Sequence, residues 1–142
     1  MIDNDPSNKI WSIALVSSVE VQRARLHLAR AEAATALELS RGVLSRLKIE
    51  NRADQGDSIN FFADAGIIAG DALVRLRRKS EARHVWQSVL DQLPANQADM
   101  LFKTKRQRFL LLKRLGMTAQ AAGLAQELER QGDRHPAFLG ER

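Results

Sequence analysis

The sequence predicts an all-α protein built from helical hairpins, and three observations support that prediction. Glycine and proline are scarce, with 8 and 3 copies among 142 residues, so helices meet few breakers. Apolar or small residues recur at intervals of three and four, which is the spacing of one helical face. Polar segments separate these stretches, and ENRADQGD at 50–57 is the clearest. We therefore predict one domain, 1–142, with hairpins at about 7–50, 57–94 and 96–132 and a tail at 133–142.

The first predicted hairpin has the weakest boundary signals. Pro6 or Ser7 is predicted to start its first helix, because proline suits a first turn and serine can cap one. No glycine or proline lies between Lys9 and Arg41, so a bend near 28–32 is inferred only from the logic of repeated hairpins. The residues predicted to be buried are Ile10, Trp11, Ile13, Ala14, Leu15, Val21, Ala24 and Leu28, followed by Ala33, Leu37, Val43, Leu44 and Leu47.

The central stretch, 59–94, has the most regular pattern. Its apolar or small positions are Phe62, Gly66, Ala69, Gly70, Leu73 and Leu76, then Ala82, Val85, Trp86, Val89 and Leu93. Gly70 and Ala82 would let two helices approach closely, Trp86 would fill the space beside them, and Pro94 would end the second helix. Asp57 or Ser58 is the predicted N-cap of the first helix and Ser80 that of the second. Such a hairpin cannot bury its apolar face alone and needs stacked neighbours.

The third predicted hairpin combines an apolar stripe with a cluster of basic residues. Its first helix is predicted from about Gln97 to Leu115, and Gly116 is predicted to end it. Thr118 is predicted to cap a sixth helix that ends at Gly132. The predicted buried positions are Leu101, Phe109, Leu112 and Leu115, and the basic residues assigned to the remaining surface are Lys103, Lys105, Arg106, Arg108, Lys113 and Arg114.

Residues 59–132 resemble the tetratricopeptide repeat, a helix-turn-helix unit of about 34 residues. Gly70, Ala82, Trp86 and Pro94 match its helix-A glycine, helix-B alanine, following bulky residue and closing proline, and Gly116 and Ala121 match the next unit's turn and alanine. Gly66 stands where the pattern prefers tryptophan, and Arg77 where it often has a turn glycine. The resemblance implies a right-handed α-solenoid of about three antiparallel hairpins. A compact bundle of the same helices is the structural alternative.

The motifs of common enzyme sites are missing from the sequence. There is no cysteine, and the three histidines, His27, His84 and His135, lack the spacing of metal ligands. Neither a phosphate-binding glycine loop nor a Gly-x-Ser-x-Gly elbow occurs. We therefore predict no enzymatic activity, no catalytic residues, no metal and no cofactor. The polar start of the chain does not resemble a secretion signal, and no apolar run is long enough for a membrane span, so we expect the cytoplasm and no membrane partner.

Charged residues at helical spacing supply the candidate binding positions. Asp57, Asp64 and Asp71 are seven residues apart, which places them near one helical face, where they could bind a metal or a basic peptide. In a stack of repeats, Asp64 would lie near Lys103 and Asp71 near Arg106, so ion pairs between repeats are the simpler interpretation. The candidate partner-binding residues are Asp64, Asp71, Lys103, Arg106, Lys113 and Arg114.

The predicted function is that of a scaffold or adaptor. In the repeat family, positions like those of Lys103, Arg106, Lys113 and Arg114 line a concave groove that holds peptides, and a basic groove would favour acidic segments. The Lys and Asn pair of the family's carboxylate clamp has no equivalent in the first hairpin. The resemblance also allows the chain to be a portion of a larger signalling or transcriptional regulator. Three alternatives remain: binding of nucleic acid by the basic face, a basic face that is only solvated, and self-association through terminal hairpins.

Overall fold

The computed structural model describes residues 6–49, 57–93 and 102–132. Side chains are described for residues 15–47, 59–93 and 102–132. These segments form six helices, which confirms the predicted all-α class. The helices are α1 (Pro6–Ala29), α2 (Ala33–Ile49), α3 (Asp57–Arg75), α4 (Lys79–Gln92), α5 (Phe102–Arg114) and α6 (Thr118–Arg130). The predicted positions Pro94, Gln97, Leu101 and His135 lie outside the described residues.

Three tight turns of one type join α1 to α2, α3 to α4 and α5 to α6. Each contains one residue with a left-handed backbone: Ala31 at φ 64°, Arg77 at φ 63° and Gly116 at φ 76°. The N–H of this residue bonds to the carbonyl three residues earlier, and the next N–H bonds to a carbonyl five residues earlier. This pair of bonds is a Schellman motif. The bend predicted near 28–32 is therefore confirmed, and it forms around Ala31 without a glycine.

A buried alanine follows each turn at the same distance. Ala36, Ala82 and Ala121 each lie five residues after the left-handed residue, and they are 0%, 0% and 3% exposed. Two of them, Ala82 and Ala121, were predicted from the repeat pattern. The first hairpin thus has the same internal register as the other two, although its sequence gave little sign of it.

The close approach predicted for α3 and α4 is confirmed. Gly70 lies against the indole ring of Trp86, and a Cβ atom added at Gly70 would overlap that ring. Gly66 lies in the same way against the side chain of Val89. Trp86 is 6% exposed and Ala82 is fully buried, so the α3–α4 interface is apolar and tightly packed.

Helix contacts follow the order of the chain. Each helix packs against the next, and α3 also packs against α1 on one side and α5 on the other. Within the described segments, no Cα atom of α1 lies within 8 Å of one in α5, and the same holds for α2 and α4. The helices α1, α3 and α5 therefore form one row, and α3 lies in its middle.

Two predicted helix caps are wrong. The N-cap of α4 is Arg78 and that of α6 is Met117, and neither helix has a side-chain cap hydrogen bond. Ser80 is the second residue of α4 and Thr118 the first residue of α6. The physical reason is the Schellman turn, which fixes the chain so that the next helix begins two residues after the left-handed residue, whatever its side chains are.

Candidate functional site: the α1–α3–α5 row

Asp64 links the three helices of the row. Its Oδ1 accepts a hydrogen bond of 2.8 Å from Nε2 of Gln107 on α5, and its Oδ2 lies 3.6 Å from Nη2 of Arg25 on α1. The same Gln107 nitrogen donates 2.9 Å to the carbonyl of Asn60, and Gln107 is only 3% exposed. A buried amide with partners on α3 fixes the position of α5, because leaving it without those partners would be costly.

Asp71 makes a second link between α3 and α5. Arg114 donates from Nε to Oδ1 at 2.8 Å and from Nη2 to Oδ2 at 3.1 Å, so the pair is bidentate. The two side chains are 19% and 29% exposed. Arg75, one turn further along α3, donates 2.6 Å to the carbonyl of Leu28 at the end of α1. Asp64 and Asp71 of α3 therefore hold neighbouring helices in place.

The expected kind of contact is present, but the register differs from the prediction. The hydrogen bonds from Gln107 to Asp64 and from Arg114 to Asp71 both span 43 residues. The predicted partners were Lys103 for Asp64 and Arg106 for Asp71, which lie four and eight residues earlier on α5. The sequence repeat of 39 residues, from Ala82 to Ala121, sets the backbone register, and the side chains of α5 reach α3 one turn further along.

Sequence reasoning missed Arg25 and Gln107. The spacing between Arg25 and Asp64 is 39 residues, but Ala36 and Ala82 set a repeat of 46 residues between the first two hairpins, so the repeat gave no signal for Arg25. Gln107 carried no signal either, because glutamine at a buried position is not expected from an apolar pattern.

Four fully or partly exposed residues of α5 are grouped as the α5 strip: Phe102, Lys103, Arg106 and Lys113. Phe102 is 38% exposed, Lys103 and Lys113 are exposed, and Arg106 is partly buried. Nζ of Lys113 lies 5.8 Å from the ring centroid of Phe109, within reach of a weak cation–π interaction. The strip combines cations with one accessible aromatic ring.

Lys105 does not belong to the exposed basic surface, which corrects the prediction for it. Its side chain is fully buried, and Nζ donates 2.7 Å to Oε1 of Glu127 on α6 and 3.1 Å to Oε1 of Gln131, the C-cap residue of α6. Burial also lowers the pKa of the half-buried Arg108. The exposed charge on α5 is consequently smaller than its sequence suggests.

The described residues also form grooves beside α2 and at the first turn. One of about 230 Å³, between α2, α3 and α4, is lined by Leu44, Ser45, Phe62, His84, Val85, Ser88, Val89 and Gln92. The other lies at the first turn, beside Arg75 and Leu76.

His27 places Nδ1 3.0 Å from Oε1 of Glu32. Within residues 6–49, 57–93 and 102–132, no three His, Asp or Glu side chains are grouped closely enough to hold a metal ion.

No protein-family model, curated protein or solved structure matches the chain. None of the helices in the described segments combines the length and apolar character that a membrane crossing requires.

Proposed function

We propose that the chain is a protein-interaction module without enzymatic activity, and that the α5 strip binds an acidic segment of a partner protein. The observation that carries the proposal is that the charged residues of the row are of two kinds, those that hold helices together and those that are exposed on α5. Asp64 and Asp71 of α3 hold α1 and α5, whereas Lys103 and Lys113 of α5 are exposed and Arg106 is partly exposed, on the helix that begins at Phe102.

A tetratricopeptide-type solenoid is the architecture we propose for this module. The repeated Schellman turns, the buried alanine after each turn and the close approach of Gly70 to Trp86 support it. In a right-handed solenoid of this type, α1, α3 and α5 would line the concave side. The cross-links from Asp64 and Asp71 would keep that side rigid, which reduces the entropy lost when a partner binds.

The chemistry of the strip favours a carboxylate-rich segment. A guanidinium group such as that of Arg106 can donate two parallel hydrogen bonds to a carboxylate. Phe102 offers an apolar contact beside it, which distinguishes the strip from a purely electrostatic surface. Binding by exposed cations should weaken as salt is added, because the Debye length falls to about 3 Å at 1 M.

The test is affinity purification from the native cell extract with and without nuclease. The wild type is compared with Arg106→Glu/Lys113→Glu and with a control of equal charge change, Lys79→Glu/Arg130→Glu, whose residues are exposed on α4 and α6. We expect a protein partner that survives nuclease, remains with the control and is lost with the strip variant.

The opposite results identify the alternatives. Recovery of nucleic acid, with protein partners lost after nuclease, would replace the proposal by nucleic-acid binding through the same cations. Equal loss in both variants would show that only net charge matters and that the strip is a solvated surface. Circular dichroism of all three proteins checks that each is helical.

A further inference from the structure

Helix α1 has a second apolar face that points to solvent. Leu15, Val16, Val19 and Leu26 are 66%, 47%, 50% and 48% exposed, and we call these four residues the outer face of α1. The prediction that Leu15 widens the buried stripe is therefore wrong. The buried stripe of α1 lies on the opposite side, where Val21 and Ala24 are 1% and 0% exposed.

The shared turns allow α1, α3 and α5 to be compared position by position. Counting back twelve, nine and five residues from each left-handed turn residue gives three matched sets. The sets are Val19, Gln22 and Leu26 in α1, Ala65, Ile68 and Ala72 in α3, and Thr104, Gln107 and Leu111 in α5. Exposure is 0–5% in the α3 set and 0–8% in the α5 set. In α1, Val19 and Leu26 are about half exposed, and Gln22 is exposed.

The matched positions of α3 and α5 face the preceding hairpin. Gln107 shows this directly, since it bonds to Asn60 and Asp64 of α3. In α3, the sides that carry Gly70 and Asp71 face α4 and α5, so the side that carries Ala65 and Ala72 is left for α1 and α2. No described helix occupies the corresponding place beside α1. The outer face of α1 is thus built like a surface that receives one more helix.

Helix α6, at the opposite end of the described helices from α1, has a polar outer surface instead. Thirteen residues after the turn residue, α4 has Leu90 at 6% exposure, whereas α6 has the exposed Glu129. Ala122 and Gln126 are exposed on the same side of α6. Head-to-tail stacking of two copies would therefore press Val19 and Leu26 against a charged and polar helix, which disfavours that arrangement.

Arg23 and Arg30 lie beside a seam of four residues on this side of α1. The spacing of Leu15, Val19, Gln22 and Leu26 is four, three and four, as in the seam of two packed helices. Arg23 and Arg30 lie along one flank of this seam, whereas Arg25, on the other flank, is already paired with Asp64. Among the described residues, neither Arg23 nor Arg30 has an acidic partner, and the nearby Glu20 is bound to Arg46 at 2.6 Å.

We propose that the outer face of α1 binds an amphipathic helix of a partner protein that carries apolar residues at the same spacing and Asp or Glu on the flank that would lie beside Arg23 and Arg30. Charge at the flanks of a helix seam selects the partner, and basic flanks select acidic ones. A symmetric antiparallel pair of α1 helices would set Val19 opposite Gln22 and would offer the arginines no carboxylate. This site is separate from the α5 strip, so it stands or falls independently of the proposed function.

The probes are two synthetic helical peptides with leucine at the same four-three-four spacing, one flanked by glutamate and the other by lysine. Their binding to the full chain is measured by fluorescence anisotropy. We expect the glutamate peptide to bind and Val19→Asn/Leu26→Asn to weaken it by at least about tenfold. Arg23→Glu/Arg30→Glu should reverse the preference to the lysine peptide. Arg106→Glu/Lys113→Glu should leave binding unchanged, which separates this site from the α5 strip.

Four outcomes would overturn the proposal. Both peptides could bind equally, or neither could bind. Sedimentation could show a wild-type dimer that Val19→Asn/Leu26→Asn converts to monomer while neither peptide competes, so that a second copy is the occupant. Loss of folding in Val19→Asn/Leu26→Asn would show that the chain itself covers this face, whereas the proposal expects its thermal unfolding to match that of the wild type.

Discussion

The hairpins α3–α4 and α5–α6 share a turn and a buried alanine but are held together by different interactions. Between α3 and α4, Gly70 makes room for Trp86 and the contact is apolar. Between α5 and α6, a fully buried lysine, Lys105, reaches Glu127 and Gln131. The glycine of α6, Gly123, has open space where a side chain would be.

This difference separates what the turn requires from what the helix interface requires. The Schellman turn forms around Ala31, Arg77 or Gly116, so it imposes a backbone conformation and tolerates different residues. The interface differs between the hairpins, because α3–α4 has a close glycine–tryptophan contact, whereas α5–α6 adds a partly buried ion pair to buried apolar residues such as Leu124 and Leu128.

Removing the buried cation should damage the third hairpin most. Lys105→Ala leaves a cavity and deprives Glu127 of its charged partner, and we expect a loss of about 3 kcal/mol in the free energy of unfolding. Lys105→Met keeps the volume, and with Glu127→Gln it should recover most of that loss. Urea unfolding of the single and double variants measures both. Equal stability of Lys105→Ala and wild type would contradict the role given to this pair.

Adding one methyl group should have opposite effects in the two hairpins. Gly70→Ala forces Trp86 to move, and we expect a loss of about 2 kcal/mol in the free energy of unfolding. Gly123→Ala meets no neighbour and should increase stability by about 0.5–1 kcal/mol through helix propensity. Thermal unfolding of the two variants compares them. A stabilising Gly70→Ala would show that the α3–α4 interface is looser than described.

Glycine should stabilise the left-handed turn positions, whereas it destabilises the interior of a helix. Arg77→Gly relieves a left-handed residue that has a Cβ atom, and we expect a gain of up to about 1 kcal/mol. Gly116→Ala creates the same strain and should lose a similar amount. Ala122→Gly, at an exposed position inside α6, is the control and should only destabilise. Stabilisation by Gly116→Ala would exclude a left-handed turn there.

The smallest predicted effect concerns the first turns of α4 and α6, which differ in charge. Glu81 lies in the first turn of α4, whereas α6 has no acidic residue in its first turn. Hydrogen bonds from Arg78 lower the pKa of Glu81 below its ordinary value of 4.5. The stabilisation is therefore present at neutral pH and is lost as the pH falls through that lowered pKa. An NMR titration of the Glu81 carboxyl carbon measures the pKa, and Arg78→Gln should return it toward 4.5.

The sequence predicted the six helices and the packing of Gly70 on Trp86, because both follow from periodicity and side-chain size. It did not predict that Lys105 is buried or that Leu15 is exposed, since a binary pattern assigns lysine to the surface and leucine to the core. The partners of Asp64 and Asp71 depend on how far side chains reach along α5, which residue spacing alone does not specify. The proposed binding residues on α5 remain predictions.

The most direct test of the account is an NMR titration of the ¹⁵N-labelled chain with a glutamate-rich peptide and with a single-stranded oligonucleotide of equal charge. We predict that the peptide changes the amide chemical shifts around Phe102, Arg106 and Lys113, and that Arg106→Glu/Lys113→Glu abolishes those changes. Shifts caused by the oligonucleotide alone, or shifts scattered over every basic residue, would contradict the claim that the α5 strip recognises a protein partner.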